Sequence, residues 1–156
     1  METQTENLFF TFKLDKGKFA LEVTNVKEIL DFESITKVPN AKPYMCGVMN
    51  IRGAVITVID LQMLFGFKSS GDLTKTKIVV SEVKRGGEPV MTLGLVAEAV
   101  DVVTPLEIVP SDTVSYGVLP KRSDFVKAVG KLENEFVLIL DLNKILSSIT
   151  EETSKK

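Results

Sequence analysis

Two stretches of this 156-residue chain repeat one another without a gap. Val48-Met-Asn-Ile-Arg-Gly-Ala-Val-Ile-Thr-Val-Ile-Asp60-Leu61 lies over Val129-Gly-Lys-Leu-Glu-Asn-Glu-Phe-Val-Leu-Ile-Leu-Asp141-Leu142, placing Asp60 and Asp141 81 positions apart. Val48 meets Val129, Ile51 meets Leu132, and Val55 meets Phe136. Upstream, Leu21 to Val26 sets against Leu95 to Val100, and both segments run on to a Val-Pro, at Val38-Pro39 and Val109-Pro110. A strand–turn–strand pattern leading into Asp-Leu and a short helix, used twice, predicts two similar small β-barrels packed together. Lobes this small are marginal alone, so a shared core is expected.

The remaining β-type runs are short, rich in Val, Ile, Phe and Thr, and bounded by turn chemistry. They are Leu8 to Leu14, Phe19 to Val23, Ala54 to Ile59, Ile78 to Val83, Val90 to Val96, Phe125 to Leu132 and Phe136 to Leu140. Asp15 to Lys18 reads as a hairpin turn, and Arg85 to Glu88 and Glu133-Asn134 as further tight turns. Helix signals are few and short, and the clearest follow the two aspartates, over Leu61 to Phe65 and Leu142 to Ser148. Polar Lys68 to Lys77 has no apolar periodicity and reads as a loop between two halves. The expectation is a mainly β single domain over 8–150, with flexible polar tails at 1–7 and 151–156.

One segment departs from this rhythm. In Val23 to Leu30, residues Val23, Val26, Ile29 and Leu30 have helical spacing. That predicts a helix with its apolar face on the core and Glu28 on the opposite side from Val26 and Ile29, or at the margin.

Composition removes whole classes of function. There is no histidine, which excludes His-based acid–base chemistry, the usual Ser-His and Cys-His pairs, His-ligated metals and histidine phosphotransfer. A net charge of −2 and a pI near 5.3, without a dense Lys/Arg cluster, argue against nucleic acid. Apolar runs such as Phe136 to Leu140 are far too short to span a bilayer. The METQTENLFF start lacks the basic beginning and long apolar stretch of a signal peptide. The single cysteine, Cys46, suits a reducing compartment, so a cytoplasmic location is expected.

Asp60 and Asp141 are the first suspects for a catalytic carboxylate pair. Each follows an apolar strand and precedes an apolar-spaced turn of helix, where an Asp accepts from the free N–H groups of the first turn. Recurrence at the equivalent place in both halves favours structural caps. Cys46 has no histidine partner and sits among apolar residues, so an inert thiol is expected. Gly86-Gly87 lacks the pattern of a phosphate cradle, and the acidic residues lack metal-ligand spacing. No catalytic residue, metal site or cofactor is expected. Asn50-Ile51-Arg52-Gly53 breaks the β pattern, and Asn50 and Gly53 suit a turn or bulge. Arg52 beside apolar Ile51 fits a solvated turn and the centre of a protein interface equally well.

Several ordered blocks at compatible spacings resemble the CheW-type coupling proteins of bacterial chemotaxis. They are FKLDKGKFALEVTNVKEIL, VPNAKPYMCGVMNIRGAVITVIDLQMLFG, LGLVAEAVDVV and GKLENEFVLILDLNKIL. The resemblance runs from about Leu8 to Ser148, and its most specific element is Gly47-Val48-Met49-Asn50-Ile51-Arg52-Gly53 leading to Val58-Ile59-Asp60-Leu61. Ile51 replaces the family's usual Leu, and Thr57 stands where many members carry Pro. The resemblance implies two SH3-like five-stranded β-barrels around a common core. It implies a non-enzymatic adaptor between the cytoplasmic tips of chemoreceptors and the regulatory domain of the histidine kinase CheA, recruited to membrane-associated receptor arrays. With the sequence ending at Lys156, the receiver domain of a CheV-type fusion is not expected. The receptor groove is expected between the lobes. The functional surface it implies comprises Val26, Glu28, Ile29, Asn50, Ile51, Arg52 and Gly53, with Gly47 and Val102 as weaker transfers. Two other readings compete: a carboxylate- or lysine-based enzyme, which needs a pocket of convergent polar groups, and a small-molecule-sensing β module, which needs an enclosed apolar cavity.

Overall fold

The computed structural model describes residues 8–14, 17–67, 75–84, 87, 90–109 and 125–154. The Asp15-Lys16 turn, Lys68 to Thr74, and Arg85, Gly86 and Glu88 lie outside the described residues, as do residues 1–7. Among the described residues there are eleven strands and two α-helices: β1 (Leu8–Leu14), β2 (Gly17–Glu22), β3 (Val26–Asp31), β4 (Met45–Ile51), β5 (Ala54–Asp60), α1 (Leu61–Leu64), β6 (Lys77–Val83), β7 (Met91–Ala97), β8 (Ala99–Pro105), β9 (Glu107–Ile108), β10 (Val126–Leu132), β11 (Glu135–Leu140) and α2 (Leu142–Ser154). The fold is mainly β, as expected.

The strands form two sheets, ordered β3-β6-β7-β5-β4 and β8-β1-β2-β11-β10-β9. Strand for strand, the second order repeats the first, with β8, β1, β2, β11 and β10 taking the places of β3, β6, β7, β5 and β4. Both contain one parallel pair among antiparallel ones: β5 with β7, and β11 with β2. Their registers agree with the sequence repeat, since Thr57 stands opposite Leu93 and its equivalent Leu138 stands opposite Phe19.

The lobes are nevertheless not the two halves of the chain. The β1–β2 hairpin leaves the N-terminal half and pairs with β8 and β11. Hairpin pairing is local and readable, whereas the parallel β2–β11 pairing joins strands more than a hundred residues apart. The second sheet also gains a sixth strand, the two-residue β9, against β10. A five-stranded expectation therefore holds for one lobe and is exceeded in the other.

Each lobe has a small interior, around Met49, Val58, Ile78, Val80 and Val96 in one and Phe9, Ala20, Val137 and Ile139 in the other. The largest cluster is shared. It takes Phe12, Phe19 and Leu140 from one sheet, Ile59 and Leu95 from the other, Leu61, Ile145 and Leu146 from the helices, and Phe65 from the turn that ends α1. Phe65 lies 5.4 Å from Phe19 and 5.9 Å from Phe125 between ring centroids, joining the lobes through aromatic contact.

Two expectations need correction. Val23 to Leu30 is not a helix: Val23–Asn25 forms a 3-10 turn, and β3 follows. In β3, half-buried Val26, Glu28 and Leu30 alternate with exposed Lys27, Ile29 and Asp31, so the strand period decides which side chains face in. Glu28 is thus on the inward side with Leu30, and Ile29 on the outward one. Helix α2 runs past Ser148 to Ser154, so residues 151–154 are helical rather than tail.

Candidate functional site

Strands β3 and β4 are the two outer strands of the five-stranded sheet. As the sheet curls, these edges face one another without pairing and leave an open seam. A groove of about 430 Å³ lies there, lined by Glu28, Ile29 and Leu30 of β3 and by Met49, Asn50 and Ile51 of β4, with Arg52 at its rim. Asp31, Glu33 and Lys77 complete the lining, and Lys77 forms an ion pair with Asp31.

Arg52 and Gly53 form the two-residue loop of the β4–β5 hairpin, because Ile51 pairs directly with Ala54. Their φ values are 54° and 85°, and positive φ at both central residues marks a type I′ turn. Such turns match the twist of the flanking strands, but the first position favours Asn, Asp or Gly, and a side chain like arginine costs about 1 kcal/mol there. Asn50 offsets part of this: its Oδ1 accepts the Gly53 N–H at 3.0 Å. The backbone is pinned so that the guanidinium projects from a rigid tip.

Across the seam, Arg52 Nη1 donates to Glu28 Oε2 at 2.6 Å. The Glu28 side chain is 18% exposed and the Arg52 side chain 73% exposed, so glutamate is the anchor and arginine the presented face. An ion pair this open contributes about 1 kcal/mol at most to stability. Its larger effect is orientation, since a charge-assisted bond on one nitrogen leaves further N–H donors aimed outward.

The structure brings Glu28, Ile29, Asn50, Ile51 and Arg52 together at one seam, with Gly53 closing the turn. It does not bring the others. Val26 is half-buried and packs on the shared core. Gly47 is buried at φ 147°, where a Cβ would lie 2.2 Å from the Thr36 carbonyl oxygen. Thr36 bridges Val48 through two backbone hydrogen bonds of 2.8 and 2.9 Å, so Gly47 permits a backbone crossing and presents no surface. Val102 belongs to β8 in the other sheet, where its N–H and C=O both bond to the buried Thr11 hydroxyl. This groove is a seam within one lobe. Leu30, Asp31, Glu33, Met49 and Lys77 also line the groove and were not singled out from the sequence; alternation along β3 is the signal that places Leu30 beside Glu28.

Asp60 and Asp141 sit at helix N-termini. Asp60 Oδ1 accepts the Gln62 N–H at 3.0 Å, and Asp141 Oδ1 accepts the Lys144 N–H at 3.1 Å. Cys46 is half-buried beside the smaller β3–β7 interior, and burial together with the Asp60 charge pushes its thiol up to about 12. It stays protonated, and so poorly nucleophilic, at neutral pH.

A CheW-like domain model matches residues 8–150. The chain belongs to the CheW family. It is 28% identical over 153 residues to the chemotaxis protein CheW of Bacillus subtilis, covering 98% of this chain and 95% of that one. The probable chemotaxis protein CheW of Rhizobium etli is 25% identical over 154 residues, with 97% and 94% coverage. Among solved structures, the scaffolding protein TtCheW from Thermoanaerobacter tengcongensis superposes with a TM-score of 0.74 at 27% identity, covering 90% of this chain and 87% of that chain. The two curled sheets are therefore those of the CheW fold. Among the described residues, no helix is long and apolar enough to cross a membrane.

Proposed function

We propose that this CheW-family protein is a non-enzymatic adaptor that couples the cytoplasmic tips of chemoreceptors to the regulatory domain of the kinase CheA. It would work in the cytoplasm, recruited to receptor arrays at the membrane. The observation that carries this reading is the Arg52–Glu28 pair over the open seam between β3 and β4. There a rigid, positively charged tip borders an aliphatic strip of Ile29 and Ile51. A receptor tip built as a helical hairpin would lay an apolar face on that strip and an acidic group on Arg52. Control of the kinase then requires unequal contact with its two states, not tight binding alone. Modest affinity suffices where many copies act together.

Calorimetric titration tests the proposal. Wild type and Arg52→Glu are titrated separately with a soluble receptor-tip fragment and with a CheA regulatory domain. Saturable binding to both partners, with the receptor arm weakened about tenfold by the charge reversal, is the expected result. A folded wild type that binds neither partner would overturn the adaptor reading and favour a sensing module.

A further inference from the structure

Along the seam between β3 and β4 the charge changes sign. At the hairpin end Glu28 is paired and largely covered, so the exposed Arg52 guanidinium is the charge presented there. At the far end stand Asp31, Glu33 and Lys77, all exposed and all lining the same groove. Lys77 pairs with Asp31, whereas Glu33 forms no ion pair among the described residues. Two carboxylates against one ammonium leave that end negative. Ile29 and Leu30 lie between along β3, so the groove has a positive end at the β4–β5 turn and a negative end where β3 stops.

Both ends are fixed by the backbone. Phe32 before Glu33 and Ile35 after it pack on the small interior of this lobe. The Phe32 N–H donates to the Thr76 carbonyl at 3.3 Å, and Thr36 bridges Val48, so Glu33 is held from either side as Arg52 is held by its turn. From Glu28 to Asp31 is three strand residues, about 10 Å. Seven residues of α-helix advance by about the same length. A helix lying along the seam therefore presents positions i and i+7 to the two ends, and positions i+3 and i+4 to the aliphatic side chains between them.

From this polarity we infer that Glu33, with Asp31, determines specificity in the groove: the receptor-tip helix it takes carries an acidic residue at the Arg52 end and a lysine or arginine two turns away at the Glu33 end. The partner's identity rests on the adaptor reading, and the charge order goes beyond it. A helix with like charges at the two positions meets repulsion at one end. One with unlike charges has a single favourable direction, so the groove fixes which way the helix lies. Both ends are exposed, and the discrimination is therefore salt-dependent.

Three fluorescently labelled helical peptides test this by anisotropy titration. They share an apolar face at i+3 and i+4 and differ only at i and i+7, which carry glutamate and lysine, two glutamates, or two lysines. At low salt the wild type should bind the mixed peptide about tenfold more tightly than either like-charged one, and the preference should shrink as salt is added. Glu33→Lys should shift the preference to the two-glutamate peptide, and Arg52→Glu to the two-lysine peptide. Circular dichroism melts identify any misfolded variant, and Glu33→Gln, at an exposed position, then reads the same end by a loss of about threefold in discrimination against the two-glutamate peptide. A wild type that binds all three peptides equally, or none of them, would overturn the proposal, as would a folded Glu33→Lys with the wild-type order of preference. Titration of the wild type with the receptor-tip fragment runs alongside: a fragment that binds while the peptides are not discriminated removes the charge order and leaves the adaptor reading standing, whereas a fragment that fails to bind removes the adaptor reading itself.

Discussion

The two lobes share one strand plan and close their seams differently. In the β3–β7 lobe the outer hairpin is crossed by Thr36 at Gly47, and Met49 lines an open groove. In the other lobe the repeat puts Ala128 in place of Gly47 and Gly130 in place of Met49. There Leu106 fills the space above Gly130, where a Cβ would come within 2.9 Å of it, and β9 pairs along the β10 edge. A bulge interrupts both hairpins at the same place, between Met45 and Gly47 and between Val126 and Ala128. A duplicated scaffold thus keeps its hydrogen bonding while one glycine moved by two positions decides where Leu106 plugs a seam. The plugged seam keeps a groove of about 350 Å³ toward its hairpin tip, at Val102, Leu132 and Glu133, against about 430 Å³ in the open one.

The largest effect should come from breaking the crossing in the open lobe. Gly47→Ala meets both a positive φ and the Thr36 carbonyl, and should destabilise by about 3 kcal/mol or more in chemical denaturation. Gly53→Ala, at φ 85° with open space around it, should cost only about 1 kcal/mol. Making the plugged lobe resemble the open one is the next test. Gly130→Met should cost about 2 kcal/mol against Leu106, and adding Leu106→Ala should recover part of that, which a double-mutant cycle reads directly.

The helix caps offer a milder comparison. Asp60 is 3% exposed, so Asp60→Ala should cost about 2 kcal/mol, against about 1 kcal/mol for half-buried Asp141. The smallest effect at neutral pH belongs to Cys46. Its folded-state pKa lies above the ordinary 9.0, at about 12. The folded form therefore holds the proton more tightly, and the contribution is fully present below pH 9 and lost as pH rises toward 12. Cys46→Ala should flatten that alkaline loss, and alkylation of the native thiol at pH 8 should run at least tenfold slower than that of a free thiol.

Much of this architecture was legible in the residues. The gapless repeat carried the two-lobe plan, because strand period and hairpin turns are local. The exchange of β1–β2 into the distant lobe was not legible, since nothing local marks a parallel pairing between Lys18 and Val137. The misreading of β3 has a physical cause. Val23, Val26, Ile29 and Leu30 imitate a helix, while Glu28 occupies an inward position that binary patterning assigns to an apolar residue. That conflict between pattern and structure sits at the candidate site, where Glu28 serves Arg52 rather than the core. The need for glycine at position 47 was not legible either, since it arises from Thr36, eleven residues away in sequence.

The most direct test of the central idea, that the open seam and not the plugged one receives the receptor, is amide chemical-shift mapping of the 15N-labelled protein with an unlabelled receptor-tip fragment. The account predicts the largest shifts at Glu28, Ile29, Asn50, Ile51 and Arg52, with Lys18 and Leu132 to Glu135 unmoved. Shifts centred on Val102 and the Glu133 tip, with the β3–β4 seam silent, would contradict it.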